Sequence, residues 1–146
     1  MVCALDGFNY ITEPDDLKQV MMLAENYLNP GGIMIFDIST AYKLREVLGG
    51  NTYVSDEEDI YYVWQSEFFE EEKICELELN FFCRQEDGSY LRFDEYQIQR
   101  AYSPDEITEI AEGVGLEVTG IYKPFEFLTF SENDERIFFV ISKKSY

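Results

Sequence analysis

The chain has 146 residues, 46% of them hydrophobic, which is enough for one folded core, so extended disorder is not expected. Its net charge of −19, from 30 acidic against 11 basic residues, opposes phosphate backbones and anionic lipid heads, so neither nucleic acid nor a membrane is an expected partner. With no histidine, His-based triads and most zinc sites are excluded, and the three cysteines, Cys3, Cys75 and Cys83, are too scattered for a disulfide framework; a reducing cytoplasm is the expected location.

The first element is a short apolar strand at Val2 to Leu5, running into Asp6-Gly7-Phe8-Asn9-Tyr10. The stretch that follows carries many helix boundary signals. Thr12 can cap, Pro14 suits the first helical position, and Asp15 and Asp16 complement the positive end of the helix dipole. Leu17, Val20, Met21, Ala24, Tyr27 and Leu28 recur at helical spacing and predict one buried stripe, and Asn29-Pro30-Gly31-Gly32 stops the helix. Residues 33–38, Ile-Met-Ile-Phe-Asp-Ile, form an apolar run too short for a helix and predict a strand covered on both faces. Strand, helix, strand is a parallel crossover unit. A second helix is expected at about Tyr42 to Leu48, ended by Gly49-Gly50, and the next ten residues read as polar turn.

From Ile60 to Tyr102 the period changes from 3.6 to two. Cys75, Leu77, Leu79, Phe81 and Cys83 alternate with Glu76, Glu78, Asn80 and Phe82, so one face of a sheet differs from the other. Turn signals at residues 70–73 and 86–89, the second containing Asp87-Gly88, divide this region into three strands of an antiparallel meander. Its aromatics, among them Tyr61, Tyr62, Phe68, Phe69, Phe81 and Phe82, are read chiefly as packing. Ser103-Pro104-Asp105-Glu106 then opens a helix with a capping box, ahead of Ile107, Ile110, Ala111 and Val114. Gly113 and Gly115 end it. Residues 116–128 and 136–144 predict a closing pair of antiparallel strands around a polar loop near Ser131 to Asp134.

This order resembles the carboxyl-terminal portion of class I, Rossmann-like S-adenosylmethionine-dependent methyltransferases. The resemblance is carried by Cys-Ala-Leu-Asp-Gly-Phe-Asn-Tyr-Ile (3–11), by Leu28-x-Pro30-Gly31-Gly32-x-x-x-Phe36-Asp37, and by residues 92–118 leading into the last strands. It implies an α/β fold: a partial Rossmann-like sheet made of the family's strands 4, 5, 7 and 6, flanking helices, and an inserted antiparallel β-meander. Residues 1–55 would be the first part of the core, 56–102 the inserted acceptor-side sheet, and 103–146 the last part of the core. Members of the family hold the donor with a glycine-rich loop after the first strand and an acidic residue after the second. Neither is among these residues, since the nine glycines include no such loop and Gly113-Val114-Gly115 follows a helix. The first three strands are therefore expected to be missing. The opening strand then becomes an apolar edge, and a homodimer through it is expected.

The function the resemblance implies is methyl transfer from S-adenosylmethionine to a small molecule, by a truncated form inactive alone. The alternative is a non-catalytic association module that dimerises or pairs with a subunit supplying the missing half. Ligands in such sheets lie beyond the carboxyl ends of the strands at the switch in strand order, which assigns Leu5, Asp6, Asn9 and Tyr10 to the cofactor. Asp37 is expected to cap the Ser39-Thr40 turn. Trp64, Tyr90, Arg92, Glu95, Gln97 and Arg100 are assigned to the acceptor pocket, although Arg100 with Glu95 also reads as a simple cross-sheet ion pair. Where Gln97 aligns, relatives often have histidine, and glutamine does not remove protons at neutral pH. No metal site is expected, because the acidic run at residues 56–59 lacks calcium-loop spacing.

Overall fold

The structure is a computed structural model describing residues 1–124 and 128–145. Two four-stranded sheets organise it. In the first, β1 (Val2–Cys3) runs parallel to β2 (Ile33–Ser39), with Val2 opposite Ile35. A parallel pair needs a crossover, and α1 (Pro14–Tyr27) supplies it. The other side of β2 pairs antiparallel with β8 (Arg136–Lys143), and β8 pairs antiparallel with β7 (Leu116–Tyr122). The order β1-β2-β8-β7 leaves β1 on an edge.

Burial follows the apolar periodicity. Leu17, Met21 and Ala24 of α1 share one core with Ile107 and Ala111 of α2 (Pro104–Gly113) and with Phe36, Ile38, Phe139 and Ile141 of the sheet. Phe36 stacks on Phe139 at 5.0 Å between ring centroids, and Phe8 joins Phe36 at 4.5 Å. Each such ring or aliphatic side chain contributes about 1.5–3 kcal/mol on leaving water. The capping box of α2 is formed as expected: Ser103 Oγ accepts from the Glu106 N–H, and the Glu106 carboxylate accepts from the Ser103 N–H.

The second sheet is an antiparallel meander of β3 (Thr52–Asp56), β4 (Ile60–Phe69), β5 (Ile74–Arg84) and β6 (Tyr90–Arg100), in that order. Cys75 and Leu77 on its inner face pack on Leu44 and Leu48 of a short π-type helix, Lys43–Leu48, and make a second, smaller core with Ala101. Gly49 ends that helix in close quarters, since a Cβ there would stand 2.8 Å from Phe68 Cβ and 2.5 Å from the Arg45 carbonyl oxygen.

Several expectations change. The opening strand stops at Cys3 because Leu5 and Asp6 take left-handed backbone angles, φ 66° and 50°, and turn the chain away. Thr12 does not cap α1; Glu13 holds that position, without a side-chain hydrogen bond. Tyr27 is 79% exposed, at the solvent edge of the stripe that the spacing predicts to be buried. The helix after β2 is wider than an α-helix over Lys43–Leu48, its last turn closed by a bond from the Gly49 N–H to the Leu44 carbonyl. The stretch read as polar turn contains β3, an exposed edge strand whose polar side chains hide the period-two pattern. The second sheet thus begins at Thr52. In the closing pair β7 ends at Tyr122, and residues 125–127 of the predicted strand lie outside the described residues. Among the described residues no helix is long and apolar enough to cross a membrane.

Candidate functional site

The turn after β1 is where the two sheets meet. A 3₁₀ turn, Gly7–Tyr10, presents Asn9 and Tyr10 in opposite ways. Asn9 is fully buried, its Nδ2 donating to the carbonyls of Ser39 and Arg100 and its Oδ1 accepting from the Ser39 N–H, all at 2.9 Å. Its amide is engaged throughout by backbone of both sheets, so it joins them and is not offered to a ligand. Tyr10 is half exposed and donates its hydroxyl hydrogen to Gln97 Oε1 at 3.1 Å.

Behind Tyr10 lies a cavity of about 300 Å³. Asp6, Tyr10 and Lys43 line it from the first sheet's side, and Trp64, Leu77, Leu79, Gln97 and Gln99 from the inner face of the second sheet, with Leu48 between. Trp64 faces the cavity wall with its buried indole N–H unpaired. Lys43 Nζ donates to Ser39 Oγ at 3.2 Å, and that hydroxyl donates to Asp6 Oδ2 at 2.9 Å. Arg136 approaches Asp6 at 3.7 Å and is bound more closely to Asp37. Two cations and two carboxylates therefore balance around Asp6, with Asp6 and Lys43 lining the cavity and Arg136 and Asp37 behind them.

The predicted site residues separate into two groups. Asp6, Tyr10, Trp64 and Gln97 come together around one space, although Tyr10 and Gln97 lie 87 positions apart. Leu5 is 76% exposed at the end of β1, outside the cavity lining. Tyr90, Arg92 and Glu95 do not reach the cavity. Tyr90 and Arg92 occupy the outer face of β6, where Arg92 pairs with Asp94 at 2.8 Å and lies over the Phe82 ring. Glu95 shares the face of Gln97 but is solvent exposed. Arg100 does not pair with Glu95, which points to the opposite side of the strand; it lies 3.6 Å from Glu106 and over the Tyr102 ring. Asp37 does not cap the Ser39-Thr40 turn. It is buried against Arg136 and accepts from the Asp6 N–H, while Asn9 takes the Ser39 N–H. Sequence reading missed Lys43 and Gln99. Gln99 was recoverable, since period two puts it on the face of Gln97; nothing local marks Lys43.

No protein-family model matches the sequence. A protein of Geobacillus sp. strain WCH70 that bears the name methyltransferase is 31% identical over 138 residues, 94% of this chain and 56% of its own. YqeM of Bacillus subtilis strain 168, also named a methyltransferase, is 29% identical over 98% of this chain and 58% of its own. The crystal structure of an S-adenosylmethionine-dependent methyltransferase from Clostridium acetobutylicum ATCC 824 superposes with a TM-score of 0.89 at 31% identity, covering 98% of this chain and 57% of that protein. This chain is a partial relative of the S-adenosylmethionine-dependent methyltransferases. It spans a little over half the length of the methyltransferases it matches. CcbJ of Streptomyces caelestis, another methyltransferase, shares the fold at 19% identity with a TM-score of 0.76, again over 56% of its length.

Proposed function

We propose that these residues form the acceptor side of an enzyme that transfers a methyl group from S-adenosylmethionine to a small molecule. In this reading β1, β2, β8 and β7 stand for the family's strands 4, 5, 7 and 6, and the three strands that hold the donor lie outside these residues. The observation that carries the reading is the cavity. It joins Asp6 and Tyr10, from the loop that ends a parallel strand, to Trp64 and Gln97 of the second sheet.

S-adenosylmethionine supplies an electrophilic methyl group on a sulfonium. The residues present suit one flank of such a donor. Leu5 offers open apolar surface, and Tyr10 offers a π face for a cationic centre. Asp6 and Asn9 already accept or donate hydrogen bonds within the protein, and no glycine-rich loop is at hand for the nucleoside. The 146-residue chain alone is therefore expected to bind donor feebly. Calorimetry with S-adenosylhomocysteine tests this: little heat is expected, and tight one-to-one binding would overturn the division of labour.

The cavity's own chemistry is orientation. Tyr10 directs its hydrogen to Gln97, which leaves the phenol oxygen's lone pairs and the Gln97 amide hydrogens for an acceptor, with the Trp64 N–H as a further donor. Gln97 has no proton affinity at neutral pH, so this pair aligns a nucleophile and leaves its deprotonation to another group.

A second reading is favoured by the β1 edge, where Met1, Val2 and Leu5 are all more than half exposed. A strand with one edge open and apolar neighbours invites another chain, either a second copy or a subunit that supplies the donor side. Light scattering on Val2→Asp against the unmodified chain tests it; association through β1 is lost in the variant.

A further inference from the structure

We propose that β6 is a second association strand, through which two copies of this chain pair antiparallel about a two-fold axis at Phe93. The two second sheets would then join as one. This does not depend on the cavity or on β1.

β6 is an edge strand guarded by charge, with Arg92, Asp94 and Arg100 on one face and Glu95 on the inner one, so a partner strand must match those charges. Its eleven residues pair with β5 in unbroken register, without a bulge, and contain neither lysine nor proline. Tyr90, Leu91, Phe93, Tyr96 and Ile98 are all exposed, with Leu91 at 59%. The strand's outward hydrogen-bonding groups can be assigned. The Ala101 N–H bonds to Lys73, and the Ser89 carbonyl accepts from Gln85, so odd-numbered residues of β6 turn their backbone groups inward. The Arg100 carbonyl instead accepts from Asn9 on the outer side, so even-numbered residues point outward. Tyr90, Arg92, Asp94, Tyr96 and Ile98 therefore turn their N–H and C=O groups outward, and among the described residues the Arg100 carbonyl at the end of the strand is already covered by Asn9.

Two-fold antiparallel pairing must set even residues opposite even residues, which leaves few registers. Centring on Arg92 opposes two arginines, and centring on Asp94 opposes two aspartates, each destabilising. Centring on Phe93 sets Arg92 of each copy opposite Asp94 of the other and Tyr90 opposite Tyr96. The Arg92–Asp94 pair that exists within one chain, 2.8 Å apart, then becomes half of an alternating quartet. On the other face Phe93 meets its own copy, extending the Phe81–Phe93 stack, whose centroids are 5.0 Å apart. With −19 on each copy, a register that cancels charge locally is strongly selected over its neighbours.

The test is sedimentation analysis of the purified chain and of Arg92→Asp and Asp94→Arg, each with Val2→Asp as background so that β1 is silent. The Val2→Asp chain is expected to remain dimeric at micromolar concentration. Each charge variant should dissociate at about tenfold higher concentration or more, because like charges now face each other in both halves of the quartet. An equimolar mixture of the two variants should recover the dimer, since both acidic positions of one copy then meet both basic positions of the other. A monomeric Val2→Asp chain would overturn the proposal. So would single variants that stay dimeric, or a mixture that stays apart although both variants show native circular dichroism.

Discussion

Asn9 and Ser39 are joined by two hydrogen bonds of 2.9 Å, side chain to backbone in both directions, and the same Asn9 amide reaches the Arg100 carbonyl. One side chain thus ties β2 of the first sheet to β6 of the second. Asn9→Ala would leave three backbone groups unpaired at this junction, and stability should fall by about 3 kcal/mol. Asn9→Asp should be no better, because a carboxylate cannot donate to the two carbonyls and would repel them. Urea denaturation measures both. A loss below about 0.5 kcal/mol for Asn9→Ala would show that the junction is held by something else.

Asp37 gives a second handle on the same region. Its carboxylate is buried on β2 and is held by Arg136 of β8 and by the Asp6 N–H, with Oδ1 unpaired. Removing the cation leaves a buried charge uncompensated, so Arg136→Ala should cost about 3 kcal/mol. Replacing both partners, Asp37→Asn with Arg136→Met, should cost clearly less than Arg136→Ala alone, since no charge is then stranded. Equal losses in the single and double variants would mean that the Arg136 effect is packing alone.

These two contacts also show what the sequence could and could not convey. The strands, α1, α2 and the capping box announce themselves through period and local chemistry, because those signals lie within a few residues of one another. β3 does not, since a short polar edge strand has neither apolar alternation nor burial. The candidate site was legible in parts: Asp6 and Tyr10 stand out beside the end of the first strand, and Trp64 and Gln97 as residues of the inserted sheet. Their meeting depends on a sheet-to-sheet junction built from pairs 91 positions apart, such as Asn9 with Arg100. Tyr90 and Arg92 illustrate the limit. Strand parity was readable, but which face turns toward the cavity is decided by packing on Leu44 and Leu48.

Thiol chemistry reports on that second core. Burial, and secondarily the charge of Glu76, push the Cys75 thiol up to about 11, and its side chain is fully covered. Cys3 is also raised, by burial and then by Asp37, but it is only partly covered, and Cys83 is partly exposed. With a disulfide reagent at about pH 8, Cys83 should react first, Cys3 more slowly, and Cys75 only after unfolding by denaturant. Peptide mapping assigns the order. Rapid labelling of Cys75 in the folded protein would show that the sheet opens readily from the short helix beneath it.

The start of α2 couples stability to acid. Burial by itself would raise the Glu106 carboxyl, but the Ser103 N–H, Lys73 and the Ser103 hydroxyl outweigh it and hold the group below its ordinary value of 4.5. A carboxyl lowered in the folded state binds its proton less readily there than when unfolded. Its stabilising contribution is therefore complete above the unfolded value and is lost as pH falls through the lower, folded one. Glu106→Gln should shrink the loss of stability between about pH 5 and pH 3 while leaving some of the cap, because the amide still accepts from the Ser103 N–H. Ser103→Ala should instead cost about 1 kcal/mol at neutral pH, by leaving the Glu106 N–H without its side-chain partner. Denaturation at a series of pH values separates the two effects. If Glu106→Gln had the same acid dependence as the unmodified chain, the Glu106 carboxylate would not be the group through which acid loosens this helix.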